Sequence, residues 1–468
     1  MVPIRSSSAP PSSRAAAAHF GLSALAAFAA AAGLARPAAA GAPPGPQLSV
    51  ERYQLPNGLT VLLHPDHRLP LVAVSVWYDV GGLHERPGRT GFAHLFEHMM
   101  FQGSAHVPED QHFPILQRIG ATDVNGTTDF DRTNYFETVP RNQLETALWL
   151  ESDRMGFLLA RLTPESLANQ IDVVKNERGQ SVDNTPYGNF EEKLTQAMWP
   201  RPHPYYGNVI GSLEDLSAAT LDDVKDFWLT CYTPANATLA IGGDFDEATI
   251  KALVAKYFGS IRGRPRPPAP VFGLAKLDAP ITIEHAETVG RLAKLSLVWA
   301  AEPAFGADNA ALDLLGYALA GTRSARLTQR LVHELELAQS VSARLQEYKA
   351  GSPFTIDVLV RPGRAVEDVL REVDAVLASL AAKPITAEEL ARAKNAVESK
   401  TLFALEQLGG MGGRVETLQG YQLLLGDPDK LAWDLARYRA IDTAAIAAVA
   451  ARRLGPNRIV GIARPAAP

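Results

Sequence analysis

Cysteine occurs once in the 468 residues, at Cys231, so an intrachain disulfide framework is excluded. The lone thiol reads as a small buried residue. Basic charge is also scarce, with 45 Lys and Arg against 51 Asp and Glu. The first 40 residues hold Arg5, Arg14 and Arg36 and no acid, so without them the net charge moves from −6 to −9. That balance argues against a nucleic-acid partner, which needs a basic face. Beyond residue 40 no apolar run is long enough to cross a membrane.

The exception lies at the N-terminus. Between Arg14 and Arg36 runs "AAAAHFGLSALAAFAAAAGLA", followed by an Ala-x-Ala site at Ala38–Ala40. This pattern resembles a secretory signal peptide over residues 1–40 and predicts export to the periplasm; an uncleaved membrane anchor is the alternative. Residues 41–47 read as a flexible lead-in, and the Pro/Gly/Arg-rich stretch 262–277 as a linker between domains 48–261 and 278–466.

The two domains repeat. "LTV" at 59–61 returns as "ITI" at 281–283, Trp77 as Trp299, and Pro234 as Pro456, each at an offset of 222. One domain was therefore duplicated. Each half opens with two strand-like runs, 59–64 and 71–79 in the first, which are expected to pair antiparallel. Helices, further strands, a helix and a closing strand follow. The expected fold is α+β: two duplicated domains, each a mainly antiparallel sheet with helices on one face.

In "RTGFAHLFEHMMFQGS", Phe92, Leu95, Phe96, Met99 and Met100 recur at the spacing of one buried helical face. His94, Glu97 and His98 then fall together on the opposite face. Thr90 is the expected N-cap and Gly103 the expected stop. Histidines at i and i+4 can converge on one zinc ion, and the intervening glutamate is placed to take a proton from a water that the metal activates. A solvent-facing polar stripe is the bland alternative. The duplication supplies an internal control, because the corresponding positions of the second half are Gly316, Leu319 and Ala320. The scaffold does not require the three metal-competent residues. A zinc site needs a third protein ligand. Glu177 is the best candidate, near the end of a helix patterned by Leu167, Ile171, Val174 and Arg178.

Three stretches, "GxxxExxxxxGxAHxxEHMxF.G", "TDFDRTNYFETVP" and "VVKNERxQSVDNxPYG", together resemble the pitrilysin/insulinase-type metallopeptidases, which include mitochondrial processing peptidase and secreted bacterial relatives. The resemblance covers essentially all of residues 48–466. It implies that one zinc ion is held by His94, His98 and Glu177, with Glu97 as general base. Many relatives carry a glutamate seven residues before the third ligand, where this chain has Gln170. Residues 124–138 alternate polar with aromatic or β-branched residues and read as strand with a turn at Asn125–Gly126; the family implies that an edge strand here receives the peptide as an added strand, with Asn125 at the substrate, and an ordinary hairpin paired inside the domain is the alternative. Arg344 and Tyr348, four residues apart, sit where relatives carry a substrate-positioning pair seven apart, and are expected on one strand face. Family members of this length pair with themselves or with a related zinc-free subunit.

Other residues read as structural. Asp153 and Arg154 suggest an ion pair. His84, His106 and His112 suggest loop or surface positions. His333 and Glu334 in "HELEL" suggest an exposed helical face, and "GGMGG" at 409–413 a hinge or helix break. The whole reads as a zinc-dependent endopeptidase acting on peptides or unfolded segments, with a non-catalytic subunit of a two-subunit peptidase as the alternative.

Overall fold

The computed structural model describes residues 46–466, so the signal-like segment lies outside the described residues. Two sheets organise the chain. The first contains β1 (Glu51–Gln54), β2 (Thr60–Pro65), β3 (Leu71–Tyr78), β4 (Thr122–Thr128), β5 (Thr133–Pro140) and β6 (Ala237–Gly243) in the order β1-β2-β6-β3-β5-β4. The second contains β7 (Ile281–Glu287), β8 (Lys294–Ala301), β9 (Ala338–Leu345), β10 (Ser352–Val360) and β11 (Ile459–Pro465) in the order β7-β11-β8-β10-β9. The pairs β2–β6 and β7–β11 are parallel and all others antiparallel. The duplication is visible in the elements themselves. β6 and β11, and the helices Leu144–Phe157 and Val366–Ser379, keep the offset of 222 residues.

One expectation about pairing fails. The first two strand runs, β2 and β3, are not neighbours, because β6 lies between them, and β11 likewise separates β7 from β8. The reason is burial. β6 is apolar and nearly buried throughout, so its backbone groups need partners on both edges, which only a central place supplies.

Along β3, Val72, Val74, Val76 and Tyr78 face the helices of their own half, including α1 (Phe92–Met99), α2 (His112–Arg118) and α3 (Leu144–Phe157). The alternate residue Ala73 packs with Val415 and Leu418 from the helix Arg414–Leu425 of the second half. There the buried Glu416 accepts hydrogen bonds from Ser75 Oγ, from Trp77 Nε1 at 2.8 Å and from Asn134 Nδ2 at 2.8 Å. The exchange is mutual. After α4 (Pro164–Arg178), helix α5 (Gly188–Met198) sets Phe190 and Leu194 against Val298, Ile459 and Ala463 of the second sheet. Glycine makes both approaches possible, since a Cβ at Gly242 or at Gly461 would stand 2.5 Å from Val415 Cγ2 or Leu194 Cδ2. "GGMGG" forms the loop between the helices Ala387–Ala404 and Arg414–Leu425.

Asp153 and Arg154 do not pair with each other. On a helix, adjacent side chains diverge. Asp153 instead accepts from Ser104 Oγ and from the His106 backbone N–H, and its Oδ1 lies 2.5 Å from His106 Nδ1. Arg154, fully buried, binds Glu151 three residues back and lies over the Tyr135 ring at 4.3 Å. Arg154→Leu is expected to destabilise the fold by about 3–5 kcal/mol, because it strands Glu151 as an uncompensated buried charge. Chemical denaturation measures this, with exposed Arg371→Leu, which loses only a surface pair to Asp368, as the control. His112 also departs from expectation. It is buried at the start of α2 against Phe101, and burial holds its imidazole well below the usual range.

Candidate metal centre

Two helices build the centre. α1 begins after Gly91, whose φ of 86° is left-handed and suits glycine. The expected capping residue, Thr90, turns away and donates to Asp215 Oδ2 at 2.6 Å. Glu85 does the capping instead, accepting from the Gly91 and Ala93 backbone N–H groups at 3.0 and 2.9 Å. The helix ends at Met99, before Gly103. α4 opens on a reciprocal Thr163–Ser166 capping box with Pro164 in its first turn. It runs to Arg178, which fixes Glu177 at its C-terminal end.

The apolar face of α1 is fully buried, and its other side meets α4. His98 Nε2 lies 3.1 Å from Glu177 Oε2, and His94 Nε2 lies 3.6 Å from Glu177 Oε1. One donor atom from each of the three residues lies within 4.8 Å of the other two, the spread that a single ion can gather. The chemistry of the set also fits zinc. Burial lowers His94 to about 4, which keeps its imidazole neutral. The hydrogen bond from His98 holds the Glu177 carboxyl below its usual range, as an anionic ligand requires. Gln170, on the same helix, is buried, while His94 Nδ1 is buried with no hydrogen-bond partner among the described residues.

Glu97 stands beside the triad and is not part of it. Burial raises its carboxyl above the usual range, opposed by a hydrogen bond that Thr128 Oγ1 donates to Oε2 at 2.6 Å. Sequence reasoning missed Thr128. The signal was strand alternation, which puts Gly126 and Thr128 on one face, and it was obscured by placing the turn at Asn125–Gly126. The turn is at Asp129–Arg132, where Asp129 Oδ1 accepts from the Asp131 and Arg132 backbone N–H groups. Asn125 and Gly126 lie within β4, an edge strand of the sheet, and Asn125 is exposed.

The contacts of Arg344 and Tyr348 are with other residues. β9 ends at Leu345, so the two do not share a strand face. Arg344 pairs with Asp357 at 2.5 Å. Tyr348 packs into a cluster with Phe130 and Tyr205, at ring distances of 5.4 and 5.8 Å. Both line a cavity of about 270 Å³ beside α5, whose lining includes none of His94, Glu97, His98 and Glu177. His333 and Glu334 are exposed.

Two family models match the chain: insulinase (peptidase family M16) over residues 60–204, and the peptidase M16 inactive domain over 218–397. The chain belongs to the insulinase-type M16 peptidase family. The insulinase match contains His94, Glu97, His98 and Glu177, and the inactive-domain match contains the Gly316, Leu319 and Ala320 counterparts. Among M16 relatives, the Helicobacter pylori zinc protease PqqE is 29% identical over 78% of this chain and 82% of its own length. An uncharacterized Bacillus subtilis zinc protease, YmxG, is 25% identical over 79% and 89%. A crystal structure of a protease from Helicobacter pylori superposes with a TM-score of 0.83 at 26% identity, over 90% of this chain and all of that one. The periplasmic protease PqqL from Escherichia coli shares the fold, with a TM-score of 0.74 at 18% identity, over 90% of this chain and 48% of that one.

Proposed function

We propose that the chain is a zinc-dependent endopeptidase that hydrolyses peptides or unfolded polypeptide segments. The observation that carries this reading is the convergence of His94, His98 and Glu177, with Glu97 alongside and tethered separately. Zinc, when bound by the three ligands, supplies a Lewis acid that polarises the scissile carbonyl and makes water more acidic. Glu97 takes a proton from the attacking water as the water oxygen bonds to the carbonyl carbon. It returns that proton to the amide nitrogen as the C–N bond breaks. The edge of β4 that has no partner strand among the described residues offers backbone groups to an extended chain, which favours unfolded segments over folded domains. Relatives named zinc proteases support the reading.

A direct test incubates the zinc-loaded protein with an unfolded polypeptide and with a stably folded domain, and maps new termini by mass spectrometry. Cuts inside the unfolded chain alone are expected. No cuts in either would favour the alternative, a non-catalytic subunit.

The working enzyme in this proposal is a dimer, with a related zinc-free subunit ahead of a second copy. Two facts support pairing. Arg344 and Tyr348 line a cavity that none of His94, Glu97, His98 and Glu177 lines, and this chain matches about half of PqqL, 48% of it. Alone, the chain is expected to bind zinc but cleave peptides slowly. Full activity from a chain that light scattering shows to be monomeric would refute the pairing; full activity from a homodimer would refute only the heteromeric preference. Export by the N-terminal segment would place this activity in the periplasm.

A further inference from the structure

We infer that Thr128 is a positioning residue that ties Glu97 to the strand on which substrate is laid, leaving Oε1 of Glu97 as the oxygen that exchanges the proton. The inference rests on the endopeptidase reading above. It starts from register. From Asn125 to Thr128 the β4–β5 ladder is regular, with Gly126 opposite Tyr135, Thr127 opposite Asn134 and Thr128 opposite Thr133; the irregularity lies earlier, between Thr122 and Asn125. Side chains therefore alternate across this segment. Thr127 turns to the face away from α1, where its hydroxyl donates to Asn134 Oδ1 at 2.6 Å. Gly126 and Thr128 turn to α1.

A threonine hydroxyl has one proton to give. Thr128 Oγ1 has two acceptors in reach, Glu97 Oε2 at 2.6 Å and Thr133 Oγ1 at 3.4 Å. The short contact to a carboxylate is the stronger bond. Thr133 donates its own proton to Val80 O at 2.8 Å, so it does not compete for Glu97. One acceptor site of Oε2 is thereby taken, and Oε1, with no hydrogen bond from the described residues, is the freer oxygen.

Gly126 completes the arrangement. A Cβ there would stand 3.0 Å from Glu97 Cγ, so the glutamate stem lies directly against the strand backbone. Glu97 is thus held twice by β4, once through its stem and once through Oε2. The opposite edge of β4 has no partner strand among the described residues. A peptide added at that edge would order the same segment that holds the base, linking substrate docking to proton transfer.

Thr128→Val keeps the shape and removes the donor, and Thr128→Ser keeps the donor. Valine is expected to lower kcat by about 10–100-fold, with KM nearly unchanged and zinc still stoichiometric, and serine to restore most of kcat. Crystal structures of the zinc-loaded variants give a second readout, with the Glu97 carboxylate displaced in Thr128→Val and in place in Thr128→Ser. Unchanged kcat in Thr128→Val, an unmoved Glu97, or a serine variant as slow as the valine variant would overturn the role. A wild type that binds zinc and hydrolyses nothing would overturn the endopeptidase reading, and this role with it.

Discussion

Glu97→Gln is expected to keep stoichiometric zinc and to lose nearly all hydrolysis. The side chain lies outside the ligand triad, so the metal has no reason to leave. The amide retains the shape and can still accept from Thr128, but it cannot take up and return a proton. General-base catalysis contributes about 10²–10⁴-fold, and a loss of that order in kcat is the predicted result. Steady-state kinetics beside metal analysis of the same preparation checks it. Substantial hydrolysis by this variant would remove Glu97 from the proposed chemistry. Zinc loss would mean that Glu97 is a ligand and that the division of roles is wrong.

His94→Ala, His98→Ala and Glu177→Gln are each expected to leave zinc well below one per chain and to abolish activity. Each substitution takes one of three protein donors from a set that lies within 4.8 Å. His333→Ala, on the second half, is expected to change neither quantity. Plasma emission analysis after dialysis against a weak chelator makes the comparison. Full zinc in Glu177→Gln would point to another third ligand. Glu191, on α5, is already paired with Lys294 at 2.7 Å. Asp172 is exposed on α4 five residues before Glu177.

The shared face of His94, Glu97 and His98 was legible in the sequence because α1 is short, strongly patterned and local, whereas Glu177, on α4, came from the family resemblance and the pattern of its own helix. Five apolar residues at helical spacing define the buried face of α1, and the rest follows from 3.6 residues per turn. The 222-residue repeat was legible for a similar reason, since β6 and β11 keep it. What failed depended on contacts distant in sequence. No local pattern says that β6 inserts between β2 and β3, because a central place is decided by which strand buries most. No local pattern says that Glu85, not Thr90, caps α1. Tyr348 looked like a strand residue until the strand ended at Leu345 and its ring joined Phe130 and Tyr205. Thr128 was hidden by the position of a turn. Shifting that turn from Asn125–Gly126 to Asp129–Arg132 brings Thr128 into β4, facing the base.

The most direct test of the central claim is hydrolysis of an unfolded polypeptide by the purified protein before chelation, after chelation, and after one equivalent of zinc is returned. Cleavage that stops on chelation and returns with one zinc per chain is the predicted result. Cleavage that persists in the metal-free protein, or a zinc-loaded complex with its native partner that cuts nothing, would contradict it.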